Sequence, residues 1–236
     1  MSGVAHAGPT SAPVENLLLT GGFSHPFHET TPALTAILGA AGVRSHVHED
    51  IEAGIAALAS GRYPMLTVNV LRWRMAAERY ASHRDRWAFS LSATARGALR
   101  EFVASGGALL AVHTAAICFD DWPAWREIVG GAWNWERSSH PPLAAMTVRI
   151  RGGEHPIVAG LADFELVDEC YGFLDLEPDV VPLVSSAHGG TDHPLLWARS
   201  YGRGRVVYDA LGHDRRSYAH PTHAEILARA ARWLVP

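Results

Sequence analysis

The chain has 236 residues, 48% apolar and 19% charged, with a formal net charge of −4. A chain of this length and composition buries roughly 70–75% of its unfolded surface without disulfide or metal staples, which excludes a disordered protein. The mild acidity argues against nucleic-acid or membrane partners, and two cysteines cannot build a disulfide framework. All 20 basic residues are arginine, so lysine Schiff-base chemistry and a Walker-type phosphate loop are absent.

Residues 1–14 are small, polar and aperiodic, and are expected to form a loose tail ahead of one domain over 15–236. No signal-peptide pattern and no apolar run of membrane-spanning length is present, so a cytoplasmic location is the default expectation. Asn16 to Thr20 reads as a strand buried on both faces, ending in Gly21-Gly22. Thr31-Pro32 has the signature of a helix start, with Leu34, Ile37, Leu38 and Ala41 as its apolar face and Gly42 as its stop. Val43 to His48 reads as a second strand, Ile51 to Leu58 as a short helix and Met65 to Leu71 as a third strand. Arg72 to Ser90 carries arginines 72, 74, 79, 84 and 86 among aromatic residues, the pattern of a solvated insertion with arginine stems over Trp73, Tyr80 and Trp87. Ala93 to Ala104 is an amphipathic helix stopped by Gly106-Gly107, and Ala108 to Val112 is a fourth buried strand.

Strands alternating with helices predict a parallel sheet covered on both faces. The second half is strand-rich instead: Met146 to Arg151, Phe164 to Tyr171, Val180 to Ser185, Leu195 to Ser200 and Arg205 to Ala210. Tyr201 to Gly204 is expected to turn an antiparallel hairpin. A last helix is expected from Thr222, where Thr222 and Glu225 have capping-box spacing.

In open parallel sheets, ligands bind beyond the carboxyl ends of the strands. His25, His28 and Glu29 follow the first strand, His113 and Thr114 the fourth, and His213 the last long one. Three distant histidine segments thus point at one sheet edge, with imidazole available as general acid, general base or metal ligand. His25 and His28 with Glu29 could supply ligands to a zinc-like ion, but His-x-x-His outside a helix or knuckle is a weak signal, and no metal ligands are assigned. Cys118, expected in a helix after the fourth strand, and Cys170, expected in a strand, have the character of buried thiols rather than nucleophiles. Gly-x-Ser-x-Gly and Gly-x-Gly-x-x-Gly are absent, which removes the main support for a serine triad or a dinucleotide site.

Gly22-Phe23-Ser24-His25, Gly106 to Ala115, Gly130-Gly131-Ala132-Trp133, His140-Pro141, His155-Pro156-Ile157, Asp168 to Tyr171, and Gly202 to Tyr208 leading to Leu211-Gly212-His213 together resemble the trehalose-utilisation, or ThuA-like, family. The resemblance spans about Leu17 to Leu234. It implies membership of the class I glutamine amidotransferase-like superfamily and a flavodoxin-like three-layer α/β sandwich, its central sheet mostly parallel with extra antiparallel strands in the second half. In true amidotransferases a cysteine stands at the elbow where this chain has His113. Imidazole does not replace a thiolate in forming a stable acyl-enzyme, so glutaminase activity is not expected. The sequence departs from the family pattern at Pro26, where an acidic residue is common, and at Cys170.

The resemblance further implies a role in disaccharide or keto-sugar metabolism. His113, His25, His213 and Glu169 are the expected catalytic groups; Tyr171, His140, Trp133, Thr114 and Trp197 are the expected substrate contacts. The expected partner is a small sugar, with self-association left open. Two alternatives stand beside the enzyme: a non-catalytic sugar-binding or interaction module on the same scaffold, and metal-assisted chemistry with a divalent ion such as zinc.

Overall fold

A computed structural model describes residues 12–235. Most of the expected tail lies outside the described residues, and its last member, Val14, already belongs to the first strand. The chain runs β1 (Val14–Gly22), α1 (Phe27–Ala40), β2 (Val43–His48), α2 (Ile51–Ala57), β3 (Met65–Leu71), α3 (Arg84–Trp87), α4 (Ala93–Ala104), β4 (Ala108–Val112), α5 (Pro123–Val129), β5 (Gly131–Ala132), β6 (Ala144–Ile150), β7 (Phe164–Asp168), β8 (Asp175–Leu176), β9 (Pro182–His188), β10 (Thr191–Tyr201), β11 (Gly204–Asp209), α6 (Arg215–Ala219) and α7 (Pro221–Leu234).

Nine strands form one sheet in the order β2-β1-β3-β4-β11-β10-β9-β6-β7, while β5 and β8 pair separately. Neighbours from β2 to β11 are parallel, and those from β11 to β7 antiparallel. The expected α/β class is observed, with the parallel half in the alternating first part of the chain and β11 closing it. The β10–β11 hairpin turns where expected, with Tyr201 opposite Gly204.

The parallel strands are apolar runs because helices cover both faces. β3 is buried along its whole length, as are Leu17, Leu18 and Leu19 of β1. Polar groups inside this core find each other: Thr67 donates to Asn16 (3.1 Å), and the Asn16 amide donates to Ser45 (2.9 Å). Asp50 and Ser92 cap α2 and α4 by accepting from Ala53 and Ala95.

Two helix starts differ from expectation. α1 begins at Phe27, leaving Pro32 inside the helix, and the Thr31 hydroxyl pairs with that of Thr20 at the end of β1 (2.6 Å) instead of capping. α7 is capped by the His220 ring, which accepts from the Thr222 amide, with Pro221 in the first turn where a missing N–H goes unmissed. The arginine-rich insertion packs as expected: Arg72 and Arg86 both lie 4.8 Å from the Trp87 ring, and Arg79 lies 4.9 Å from that of Tyr80.

Candidate active site

Three histidines are delivered to one place by backbone that ordinary residues avoid. Ser24, immediately before His25, has φ 57°; His113 itself has φ 47°; and Gly212, immediately before His213, has φ 116°. Left-handed backbone at non-glycine residues is strained, and persists where the surroundings enforce it. At Gly212 a Cβ would lie 2.5 Å from the Tyr218 hydroxyl, so glycine is required there.

The ring centroids of His25 and His213 are 4.8 Å apart, those of His25 and His113 5.2 Å, and those of His113 and His213 5.6 Å. Glu169, the residue after β7, completes the group. Its Oε2 lies 3.1 Å from His213 Nδ1 and 3.6 Å from His113 Nε2, and its Oε1 lies 3.5 Å from His140 Nδ1. The four expected catalytic residues are therefore neighbours, with His140 on the outer side of the carboxylate.

His113, Glu169 and His213 are held from behind. His113 Nδ1 bonds the Ala210 carbonyl (2.7 Å), and Tyr208 donates to the His113 carbonyl (2.8 Å). Asp168, 1% exposed, accepts from the amides of Glu169 (2.8 Å), Gly212 (2.8 Å) and His213 (3.2 Å), tying the end of β7 to the loop after β11. The Tyr171 hydroxyl lies 3.3 Å from His113 Nε2.

The electrostatics separate the histidines. Burial first, then the neighbouring His113 and His213, pushes His25 down to about 3, so its ring is neutral. His213 is raised, chiefly by its interaction with Glu169, against burial. Burial pushes the Glu169 carboxyl up, but the adjacent His113 and His213 rings outweigh it and hold the group below the ordinary carboxylate range. Burial raises the Tyr171 hydroxyl well above its usual value.

Of the expected substrate contacts, Tyr171, Trp133 and His140 are brought to the cluster. Trp133 packs edge-on against Tyr171 at 5.2 Å and faces His140 at 6.0 Å. Thr114 and Trp197 are not. Thr114 is fully buried and donates its hydroxyl to the Val70 carbonyl (2.6 Å). Trp197 is fully buried in β10, donates Nε1 to the Val129 carbonyl (2.8 Å) and packs on Tyr208, in a stretch where Leu195, Leu196 and Trp197 are all buried because both faces of the strand are covered. His28 also stands apart, exposed beside Glu29, so the first-loop trio does not form a ligand set.

Cys118 lies beyond the single 3-10 turn His113–Ala116 rather than in a helix, donates to the Val70 carbonyl, and is raised by burial to about 12. Cys170 lies just past β7, also buried and raised. Neither thiol is a ready nucleophile. Trp125 is a core residue that donates to the Ala115 carbonyl behind the elbow.

Sequence reasoning did not single out Asp168 as a clamp, nor Trp135. Trp135 is 40% exposed, stacks on Trp73 at 5.8 Å and meets Trp133 edge-on at 6.3 Å, extending an aromatic wall away from Tyr171. The Trp-Asn-Trp spacing at 133–135 was its only local signal. On the other side, His25 lines a cavity of about 440 Å³ with Gly21, Arg72, Arg86 and Trp87.

Fold and elbow together define a flavodoxin-like α/β protein with imidazole at the strand-to-helix turn. The profile of the trehalose-utilisation (ThuA) family matches residues 17–234, and the chain belongs to that family. It is structurally similar to a ThuA-like protein from Parabacteroides merdae (TM-score 0.76, 19% identity, 94% of this chain and 90% of that one). A ThuA-like protein from Bacteroides uniformis is similar too (TM-score 0.73, 19% identity, 98% and 95% covered). So is a cytoplasmic protein from Salmonella typhimurium (TM-score 0.66, 15% identity, 94% and 99% covered). No sequence among curated proteins is significantly similar to this chain. Among the described residues no helix is long and apolar enough to cross a membrane.

Proposed function

We propose that the protein is an enzyme of carbohydrate metabolism that moves a proton at a hydroxyl, or at the carbon beside a carbonyl, of a disaccharide or keto-sugar. The observation that carries this reading is a single carboxylate, Glu169, within 3.1–3.6 Å of three imidazoles beside an aromatic wall. Groups so placed, with Glu169 biased toward its carboxylate and His213 toward its imidazolium, are the arrangement general acid–base catalysis needs. Trp133 and the exposed Trp135 offer faces on which the apolar side of a sugar ring packs, and His140 and Tyr171 offer hydrogen bonds to its hydroxyls. Histidine at the elbow argues against glutaminase chemistry.

The test is solvent-deuterium incorporation and product formation with keto-disaccharides, followed by NMR. Wild type should exchange and convert. A folded His113→Ala variant should lose at least about 100-fold in rate, the scale of one positioned acid or base. Unchanged rate in that variant overturns the acid–base role of the cluster. Ligand-induced stabilisation of the wild type with no product overturns the enzyme in favour of a binding module.

A further inference from the structure

The hydrogen bonds inside the cluster leave its donor atoms incompletely used. Both ring nitrogens of His25 are buried without a partner. Nδ1 of His213 is buried too, and faces Glu169 at 3.1 Å without hydrogen-bond geometry. The bond from His113 Nδ1 to the Ala210 carbonyl fixes its ring so that the Nε2 lone pair faces the same centre. Buried lone pairs without donors are unfavourable, and one proton can bridge only one pair of them. A divalent cation at the centre takes one nitrogen from each of the three rings at once, leaving the second nitrogen of His25 outside its shell.

The dimensions agree. Tetrahedral zinc with bonds of about 2.1 Å places its donor atoms about 3.4 Å apart. Here two of the separations are 3.1 and 3.6 Å, and one donor atom from each of His25, His113, Glu169 and His213 lies within 4.8 Å of every other. Closing the widest separation from 4.8 Å to about 3.4 Å takes a contraction of about 1.4 Å.

We propose that His25, His113, His213 and Glu169 bind one divalent transition-metal ion. Three imidazoles and one carboxylate suit zinc or its neighbours, whereas magnesium and calcium need oxygen donors. The supports expected around such a site are present: the Ala210 carbonyl orients His113, and Asp168 holds the loop that carries His213. An ion held by all four would polarise a substrate oxygen only by accepting it as a fifth ligand. Tyr171 and His140, which touch the cluster without belonging to it, are then the groups left to contact the substrate. The inference does not need a sugar substrate, and it replaces acid–base duty at these four groups by ligation, leaving proton transfer to Tyr171 and His140.

Chelator-treated, desalted full-length protein, shown to be folded by circular dichroism, should be titrated with zinc by calorimetry. Bound metal should be counted by elemental analysis and cobalt substitution followed by visible absorption. One zinc per chain and an intense four-coordinate cobalt band are expected. His25→Ala and His113→Gln should weaken zinc binding by roughly 100-fold and remove the band, while His28→Ala should bind as wild type. Folded wild type that takes up no zinc overturns the proposal, and so does equal binding by wild type and His25→Ala. If a ligand variant fails to fold, zinc must still raise the melting temperature of the stripped wild type, and no rise overturns the site. Stoichiometric zinc without sugar turnover would overturn the substrate reading alone; sugar turnover by a protein that takes up no zinc would overturn this inference alone.

Discussion

Replacing Asp168 by asparagine keeps the shape of a fully enclosed side chain and removes its charge. The carboxylate accepts three backbone amides, two on one oxygen and one on the other. Asparagine retains one oxygen, so either the Gly212 amide or the pair from Glu169 and His213 meets an NH2 donor instead of an acceptor. One charge-assisted bond is lost outright at about 1.5–3 kcal/mol, and those that survive fall to the neutral range, a further loss of about 1 kcal/mol each. The expected destabilisation is about 3–5 kcal/mol, a drop in melting temperature of roughly 10 °C for a chain of this size. Scanning calorimetry reads the first effect. Hydrogen exchange reads the second: amides of Gly212 and His213 should exchange much faster than those of β3, which Asp168 does not touch. A melting temperature within about 2 °C of wild type, with unchanged exchange at 212 and 213, would refute the clamp.

Gly212→Ala forces a Cβ within 2.5 Å of the Tyr218 hydroxyl at φ 116°, and should lower stability by about 1–3 kcal/mol in urea titrations and move the His213 NMR resonances. Unchanged resonances would mean the loop is not fixed by this contact. His223 is buried 2.9 Å from Asp209; burial disfavours its imidazolium, but the carboxylate outweighs it and raises the group above 6.5. Its protonated form therefore stabilises the fold fully below that value, and the contribution is lost as pH rises through the raised folded-state value. Urea midpoints should fall over that range, and His223→Gln should lack the dependence; the same slope in both proteins would sink the assignment. Trp197→Ala should destabilise by about 3–5 kcal/mol as a core truncation and leave KM unchanged once folded, while Trp135→Ala should raise KM with little loss of stability. The opposite pattern would restore Trp197 as a substrate contact.

The parallel half of the sheet was legible because its strands are apolar on both faces, so β1, β3 and β4 stand out as short uninterrupted runs. Helix starts were less so. Thr31-Pro32 carries the same local signature as a true N-terminus, yet the Thr31 hydroxyl is taken by Thr20 across the β1–α1 interface, a partner eleven residues away. Trp197 was misplaced for a related reason: β10 is covered on both faces at Leu195, Leu196 and Trp197, and nothing local states that its neighbours enclose it. Asp168 escaped notice because its partners are backbone amides 44 and 45 residues away, which no side-chain pattern announces.

The histidine cluster shows how far strand ends can be read without coordinates. Adjacent strands lie about 4.8 Å apart, so β1 and β4, with β3 between them, end about 10 Å from each other. His113 and His213 follow neighbouring strands and meet with little adjustment, but His25 must cross the end of β3. It does so because the Phe23 amide bonds the Leu71 carbonyl (3.1 Å), Gly22 lies where a Cβ would sit 2.1 Å from that same oxygen, and Ser24 reverses the chain at φ 57°. Gly22-Phe23-Ser24-His25 is thus a bridge over one strand, and its length sets the distance from His25 to the other two rings. Adding one residue after Ser24 should leave β1 intact and withdraw His25 alone, abolishing the cluster's function while the melting temperature falls only modestly. Retained activity in such an insertion variant would mean that His113, His213 and Glu169 suffice without it.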